Sequence, residues 1–346
     1  MSKQDAIEWF DQVKTNWQQM IAEYSTADNK KAVWQLVNSF GPYIGIWCLM
    51  PFALQVSYWL VLPLAVIAAG FLVRIFIIMH DCGHQSFFKS KKANDITGYI
   101  AGVFTFTPYR KWTKEHAIHH GTSGNLDKRG TGDVWTMTVK EYMSSGFWKR
   151  LGYKAFRHPL FLFILAPFLM FVIDYRFSYG KTNTPANRMS VRMNNLGLAL
   201  IFLIGTYTMG LKVFTLIMLP IIWIAAIAGV WLFYVQHQYE DTYWEAHDHW
   251  DFVKGALEGS SFYKLPKVLQ FFTGNIGFHH IHHLSPLVPN YLLEKCHKAN
   301  PLFEKIKPLT FWQSFKSASL RLWDEEKQRM LSFKEFRQLR RAGAFG

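Results

Sequence analysis

Residues 60–84 read LVLPLAVIAAGFLVRIFIIMHDCGH: an apolar run whose single charge is Arg74 leads directly into a pair of histidines, His80 and His84. An apolar helix of about 20 residues is long enough to cross a bilayer core. Working outward, residues 40–79 are almost continuously apolar apart from a break near 55–59, and residues 195–235 repeat the pattern with a break near 210–212. The spacing predicts an all-α, polytopic membrane protein with four transmembrane helices, at about 40–58, 60–79, 195–210 and 213–235, paired as two hairpins.

The histidines are the second signal. His80 and His84 stand in HDCGH, His116, His119 and His120 in HAIHH, His279, His282 and His283 in HHIHH, and His237 closes the last apolar run. Residues three and four apart share a helix face, so each set aims its imidazoles at one place. Eight converging imidazoles, or nine with His237, exceed the four ligands of a structural zinc, so two metal ions are the natural reading. Neutral imidazole suits iron, copper or zinc. Soluble di-iron bundles use glutamates and paired ExxH motifs, whereas here that spacing occurs once, from Glu294 to His297. A histidine-rich, carboxylate-poor site beside a bilayer suggests oxygen activation against an apolar substrate that dissolves in lipid.

The formal net charge is +14, with Lys and Arg crowded into residues 89–157 and the C-terminal third, while the short turns between spans carry almost none. That asymmetry places both basic regions in the cytoplasm. It favours anionic headgroups and an acidic redox partner over nucleic acid. Two hairpins bring residues 80–194 and 236–346 to one side, with both termini cytoplasmic, where they form a helical cap that holds the metal site. Residues 158–177, with Pro159 and Pro167, are then interfacial or re-entrant, because a full span there would separate His237 and the third set from the rest. Residues 96–108 are read the same way. Residues 1–39 form an amphipathic, cytoplasmic segment in which Ile7, Phe10, Val13, Trp17, Met20, Ile21 and Tyr24 recur at helical spacing, to lie on the membrane or on the protein's own surface. Residues 40–326 are one domain, and 327–346 a basic, loosely held helical tail. Three cysteines without a CxxC pair make no disulfide framework, and the opening residues lack a signal-peptide layout.

In order and spacing, HDCGH, HAIHH and HHIHH around two apolar hairpins resemble the membrane fatty acid desaturases. GNIGFHHIHHLSPLVPNY (274–291), WLFYVQH (231–237) and DKRGTGD (127–133) are similar to the acyl-lipid branch, closest to the Bacillus-type phospholipid desaturases. The resemblance implies a non-haem centre of two Fe ions that uses O₂ and two electrons to place a cis double bond in a lipid-bound acyl chain. Its ligands map onto His80, His84, His116, His119, His120, His237, His279, His282 and His283. It implies Δ5 as the expected position, with Δ9 and Δ12 as alternatives. It also implies a bacterial inner membrane and phospholipid acyl chains as substrate. No cytochrome b5 signature occurs in this sequence, so a separate ferredoxin or flavodoxin is expected as donor, ahead of cytochrome b5.

The stearoyl-CoA branch has an asparagine four residues before the last-span histidine, and here that position is Phe233. Asn275, four residues before His279, is the candidate substitute. Asp81, Glu115, Glu240 and Asp241 neighbour ligands in sequence and are candidates to orient them, and His280 is expected to pack behind them. Box spacing does not separate desaturation from hydroxylation or ketolation, so a histidine-box hydroxylase or ketolase is the alternative. A membrane metal transporter is the rival from another class, but transporters place polar groups at mid-bilayer, where these spans carry none.

Overall fold

The computed structural model describes residues 3–180 and 183–345. Residues 1, 2 and 346, at the ends of the two terminal segments, lie outside it. The Asp28 carboxylate caps a helix by accepting from the Lys30 and Lys31 amides. That helix, α2 (Asn29–Val56), follows α1 (Lys3–Ala22). Ser57 alone separates α2 from α3 (Tyr58–Gly83). Its extended backbone (φ −167°) closes one helix through its N–H to Ala53 O, and its side chain caps the next at Trp59 N. α4 (Lys91–Phe104), α5 (Tyr109–Thr122) and α6 (Phe147–Phe156) follow. A second one-residue joint, Gly210, lies between α7 (Pro185–Met209) and α8 (Leu211–His237). Its φ of +80° is a left-handed conformation that glycine adopts without strain.

α2, α3, α7 and α8 are each long and apolar enough to cross a membrane. All four outrun the stretches expected from hydropathy. Apolar runs mark the length a bilayer would cover, whereas caps such as Asp28 decide where a helix ends. α3 sits at the centre, packed against α2, α4 and α8. The outer helices leave Trp34, Phe52, Leu196 and Leu203 exposed. Trp59 and Tyr207, 78% and 93% exposed, stand beside the two joints, as aromatic residues do at membrane–water boundaries. Arg74 is no breach of the pattern, because it donates to Ser39 Oγ and Phe271 O and lies over the Phe271 ring.

Residues 161–173 contain two wide, π-type turns flanking a short α segment, and the stretch Phe161–Arg176 bends by 54° from α6. Together the pair has the length and composition of one bent span or of a re-entrant loop.

Two expectations need correction. The chain is mostly helical, but it also holds two small sheets. β1 (Met137–Thr138) pairs in parallel with β4 (Leu320–Asp324), which pairs antiparallel with β5 (Arg329–Ser332), and β2 (Phe262–Lys264) pairs in parallel with β3 (Pro308–Thr310). The C-terminal segment is therefore not loosely held. β5 closes the sheet with Met330 and Leu331 fully buried, and the final helix packs Phe336 into the same cluster. Of the two placements left open for α1, the structure shows packing on the protein itself. Trp9, Val13 and Ile21 are buried against Leu292, Leu293 and Phe303, and Trp9 Nε1 donates to Leu302 O at 2.7 Å.

Candidate metal centre

The C-terminal end of α3 carries His80, and His84 caps it. α5 contributes His116, His119 and His120, α8 ends on His237, and a short helix, α9 (His279–Leu284), carries the third set. These elements bring nine buried or half-buried imidazoles into two adjoining groups. His80, His84, His116, His120 and His282 form one. His119, His237 and His283 form the other, and His279 joins it with Nε2 3.0 Å from that of His237. The HxxHH spacing thus splits, since His116 and His120, four apart, serve one group and His119 the other. The His120 ring stacks on His283 at 4.1 Å between centroids, where the groups meet.

A cation fits both groups. The Nε2 atoms of His116 and His120, of His120 and His282, and of His237 and His279 are each 3.0 Å apart, and those of His119 and His237 3.1 Å. Facing lone pairs repel at that distance unless a proton or metal lies between them. Two imidazoles bound at right angles to one ion, at the roughly 2.1 Å typical of metal–nitrogen bonds, would sit about 3.0 Å apart. Nε2 of His80, His84 and His283 is buried with no hydrogen-bond partner among the described residues, an arrangement that wants an explanation. Burial holds His116, His120, His279, His282 and His283 well below the usual imidazole pKa. They are therefore neutral, the form that binds metal.

One carboxylate stands behind each group. His80 Nδ1 donates to Asp81 Oδ1 at 2.9 Å, and Asp81 Oδ2 accepts from the Asn290 amide and side chain at 2.6 and 2.8 Å, tying α3 to the segment after the third set. His119 Nδ1 donates to Asp133 Oδ1 at 2.8 Å. Gly132 lets that loop approach α5, since a Cβ there would lie 2.8 Å from the His119 Cβ. His237 Nδ1 donates to Gly259 O at 3.0 Å. Each bond fixes the tautomer that turns Nε2 inward.

The other candidates for this role fall away. Glu240 pairs with Lys316 and Arg329 at 2.5 and 3.4 Å, and Asp241 lies exposed 3.6 Å from Lys307. Both follow the end of α8, where the chain turns away from the ligands. Asn275 accepts from Gln270 and donates to Asn290 O, so it replaces nothing at the second group. His280 points to the far side of α9, where its Nε2 lies 3.3 Å from Nδ1 of His297. His297 is buried there, and burial lowers its pKa to about 4. Glu115 lines the neighbouring cavity. Phe233 packs its ring 5.2 Å from those of His119 and His237, filling the place expected for an asparagine. Asp133 and Asn290 were missed because both are distant in sequence from the ligands they serve, and only the glycines before Asp133 hinted at a close approach.

An apolar cavity of about 500 Å³ adjoins both groups, within the size range of small-molecule sites. Val73, Phe76, Trp112, Phe171, Ile222 and Leu232 form much of its wall, and His80, His116 and His279 line it as well.

Two histidine groups able to hold metal, beside an apolar cavity and among helices that can cross a membrane, are the features of a membrane metalloenzyme. Comparison with known proteins agrees. Residues 57–314 match the family model described as fatty acid desaturase. A fatty acid desaturase of Bacillus subtilis (strain 168) is 46% identical over 92% of this chain and 90% of its own. The sn-1 oleoyl-lipid 12-desaturase of Anabaena variabilis is 28% identical over 72% of this chain and 70% of its own. The sn-1 acyl-lipid omega-3 desaturase (ferredoxin) of Nostoc sp. (strain 36) is 27% identical over 70% and 67%. The chain belongs to the fatty acid desaturase family, and it is an oxidoreductase.

Proposed function

We propose that the protein introduces a cis double bond into an acyl chain of a membrane phospholipid, using O₂ and two electrons at a centre of two Fe ions. The observation that carries this reading is the apolar cavity walled at one place by members of both histidine groups. His80, His84, His116, His120 and His282 would hold one iron, and His119, His237, His279 and His283 the other. The bound irons would supply oxidation of an unactivated C–H bond, chemistry that side chains alone do not provide. Asp81 and Asp133 orient the imidazoles, and the cavity wall sequesters the acyl chain from water. Electrons come from a separate ferredoxin or flavodoxin; the name of one relative specifies ferredoxin. The likeness to Bacillus-type enzymes favours Δ5, with Δ9 and Δ12 as alternatives.

Fatty-acid profiling by mass spectrometry, with double-bond localisation, tests this in a bacterium that lacks such an enzyme. The expected result is a new cis-unsaturated acyl chain that requires oxygen and the intact histidines. A hydroxylated chain instead would move the protein to the alternative reaction.

We also propose an inner-membrane enzyme of two helical hairpins, within one domain spanning about 40–326, with residues 158–177 interfacial or re-entrant and the histidines and both termini cytoplasmic. The one-residue joints at Ser57 and Gly210 support this reading, as does the packing of α2 on α3 and of α7 on α8. With Cys48→Ser as background, an impermeant thiol reagent should reach Lys89→Cys and Lys298→Cys only from the cytoplasm. Labelling of the two from opposite sides would break the shared site.

A further inference from the structure

A second cavity, of about 250 Å³, lies between α6 and the C-terminal helix α11 (Phe333–Arg341), which follows α10 (Asn290–Ala299). Four cations line it: Arg150 and Lys154 from α6, Arg337 and Arg340 from α11. Among the described residues none of the four has an ion-pair partner. The carboxylates nearest in sequence are turned elsewhere, Glu141 to Arg129 and Glu335 to Arg329. Unpaired like charges gathered around one cavity repel each other unless an anion joins them. The rest of the lining is apolar or aromatic, with Tyr142, Leu151, Phe333 and Phe336.

The surroundings indicate which anion. Phe147 and Trp148 stand 64% and 79% exposed at the start of α6, and α6 leads into the apolar stretch Phe161–Arg176. Exposed aromatics and long cationic side chains on a helix that enters an apolar segment belong at the water–lipid boundary. The cavity is distinct from the acyl cavity, which the same helix touches through Phe156. Its α11 wall also lies beyond the residues matched by the family model.

We propose that this cavity binds the phosphate-bearing headgroup of an anionic phospholipid, with the cations holding the phosphate and the aromatic wall the glycerol end. This rests on placement in a membrane, not on the desaturation reading. Each cation near an anionic lipid surface contributes about fivefold in affinity. The full-length protein in mild detergent, titrated with phosphatidylglycerol or phosphatidylcholine and read by native mass spectrometry, provides the test. Phosphatidylglycerol should bind wild type in preference to phosphatidylcholine. The quadruple variant Arg150→Gln, Lys154→Gln, Arg337→Gln, Arg340→Gln should lose about several hundredfold of that binding, with melting temperature and bound iron unchanged. Each double variant, confined to one helix, should give an intermediate loss, which keeps the proposal testable if the quadruple variant misfolds. Unchanged phosphatidylglycerol binding in the variants would overturn it. So would its displacement by millimolar inorganic phosphate, which would mark a free-anion site. Weakened binding of an acidic ferredoxin with lipid binding intact would also overturn it, assigning the cations to a protein partner.

Discussion

Replacing His120 with alanine is expected to remove product formation below detection while the protein still inserts and folds. The His120 Nε2 lies 3.0 Å from those of both His116 and His282, and its ring stacks on His283 of the other group. It makes the shortest ring contact between the two groups, so its loss opens one and loosens the other. Removing a residue that only orients a ligand typically costs about 10- to 100-fold in metal affinity or activity. That range is the expected effect of Asp133→Ala, which leaves His119 in place without its carboxylate. His120→Ala should exceed it, with about one of two bound irons lost by elemental analysis. The fold should tolerate the change, because it relieves a crowd of unpaired imidazole nitrogens rather than breaking a partnered one. A His120→Ala protein that keeps two irons and full turnover would refute the assignment of these histidines to metal.

The convergence of these histidines was legible because helical spacing is a local rule. Two or three imidazoles at intervals of three and four residues must share a face wherever the helix ends up. Their division into groups was not legible, since it depends on how α3, α5, α8 and α9 cross. The orienting carboxylates show the same limit more sharply. Asp81 was readable as the neighbour of His80, but Asp133 reaches His119 from a separate loop, and Glu240 and Asp241 share their neighbourhood with His237 only in sequence. The helix ends at His237 and the chain turns away from the imidazoles before Glu240 and Asp241, so nearness in sequence guides contact only while the helix continues.

For the fold, hydropathy located the spans and both joints, because a polar break in an apolar run has few interpretations. The small sheets were illegible. β1 has two residues and finds its partner, β4, far along the chain, so no alternation of useful length marks it. The basic composition of residues 327–346 read as a loose tail, although Met330, Leu331 and Phe336 are the residues that anchor it. Net charge describes the exposed side of a segment and says little about the few apolar residues that fix it.

Gly229→Phe should suppress turnover of long acyl chains while both histidine groups keep their metal. Gly229 lies on α8, lines the apolar cavity, and a Cβ built there meets nothing within 4 Å. A larger side chain therefore grows into the space assigned to substrate instead of colliding with the fold. Losing glycine from a helix interior is itself favourable by up to about 1 kcal/mol, so stability should hold or rise. Each methylene kept from burial forfeits about 0.8 kcal/mol. A phenyl ring that displaces two or three methylenes then costs about 2 kcal/mol, or roughly 30-fold in kcat/KM. Gly229→Ala, adding one methyl group, should stay close to wild type, and the Phe variant should shift its remaining product toward shorter chains. The chain-length profile separates this steric effect from damage to the metal centre, which would lower all products equally. An unchanged rate and profile in Gly229→Phe would mean that the acyl chain reaches the histidines by another route.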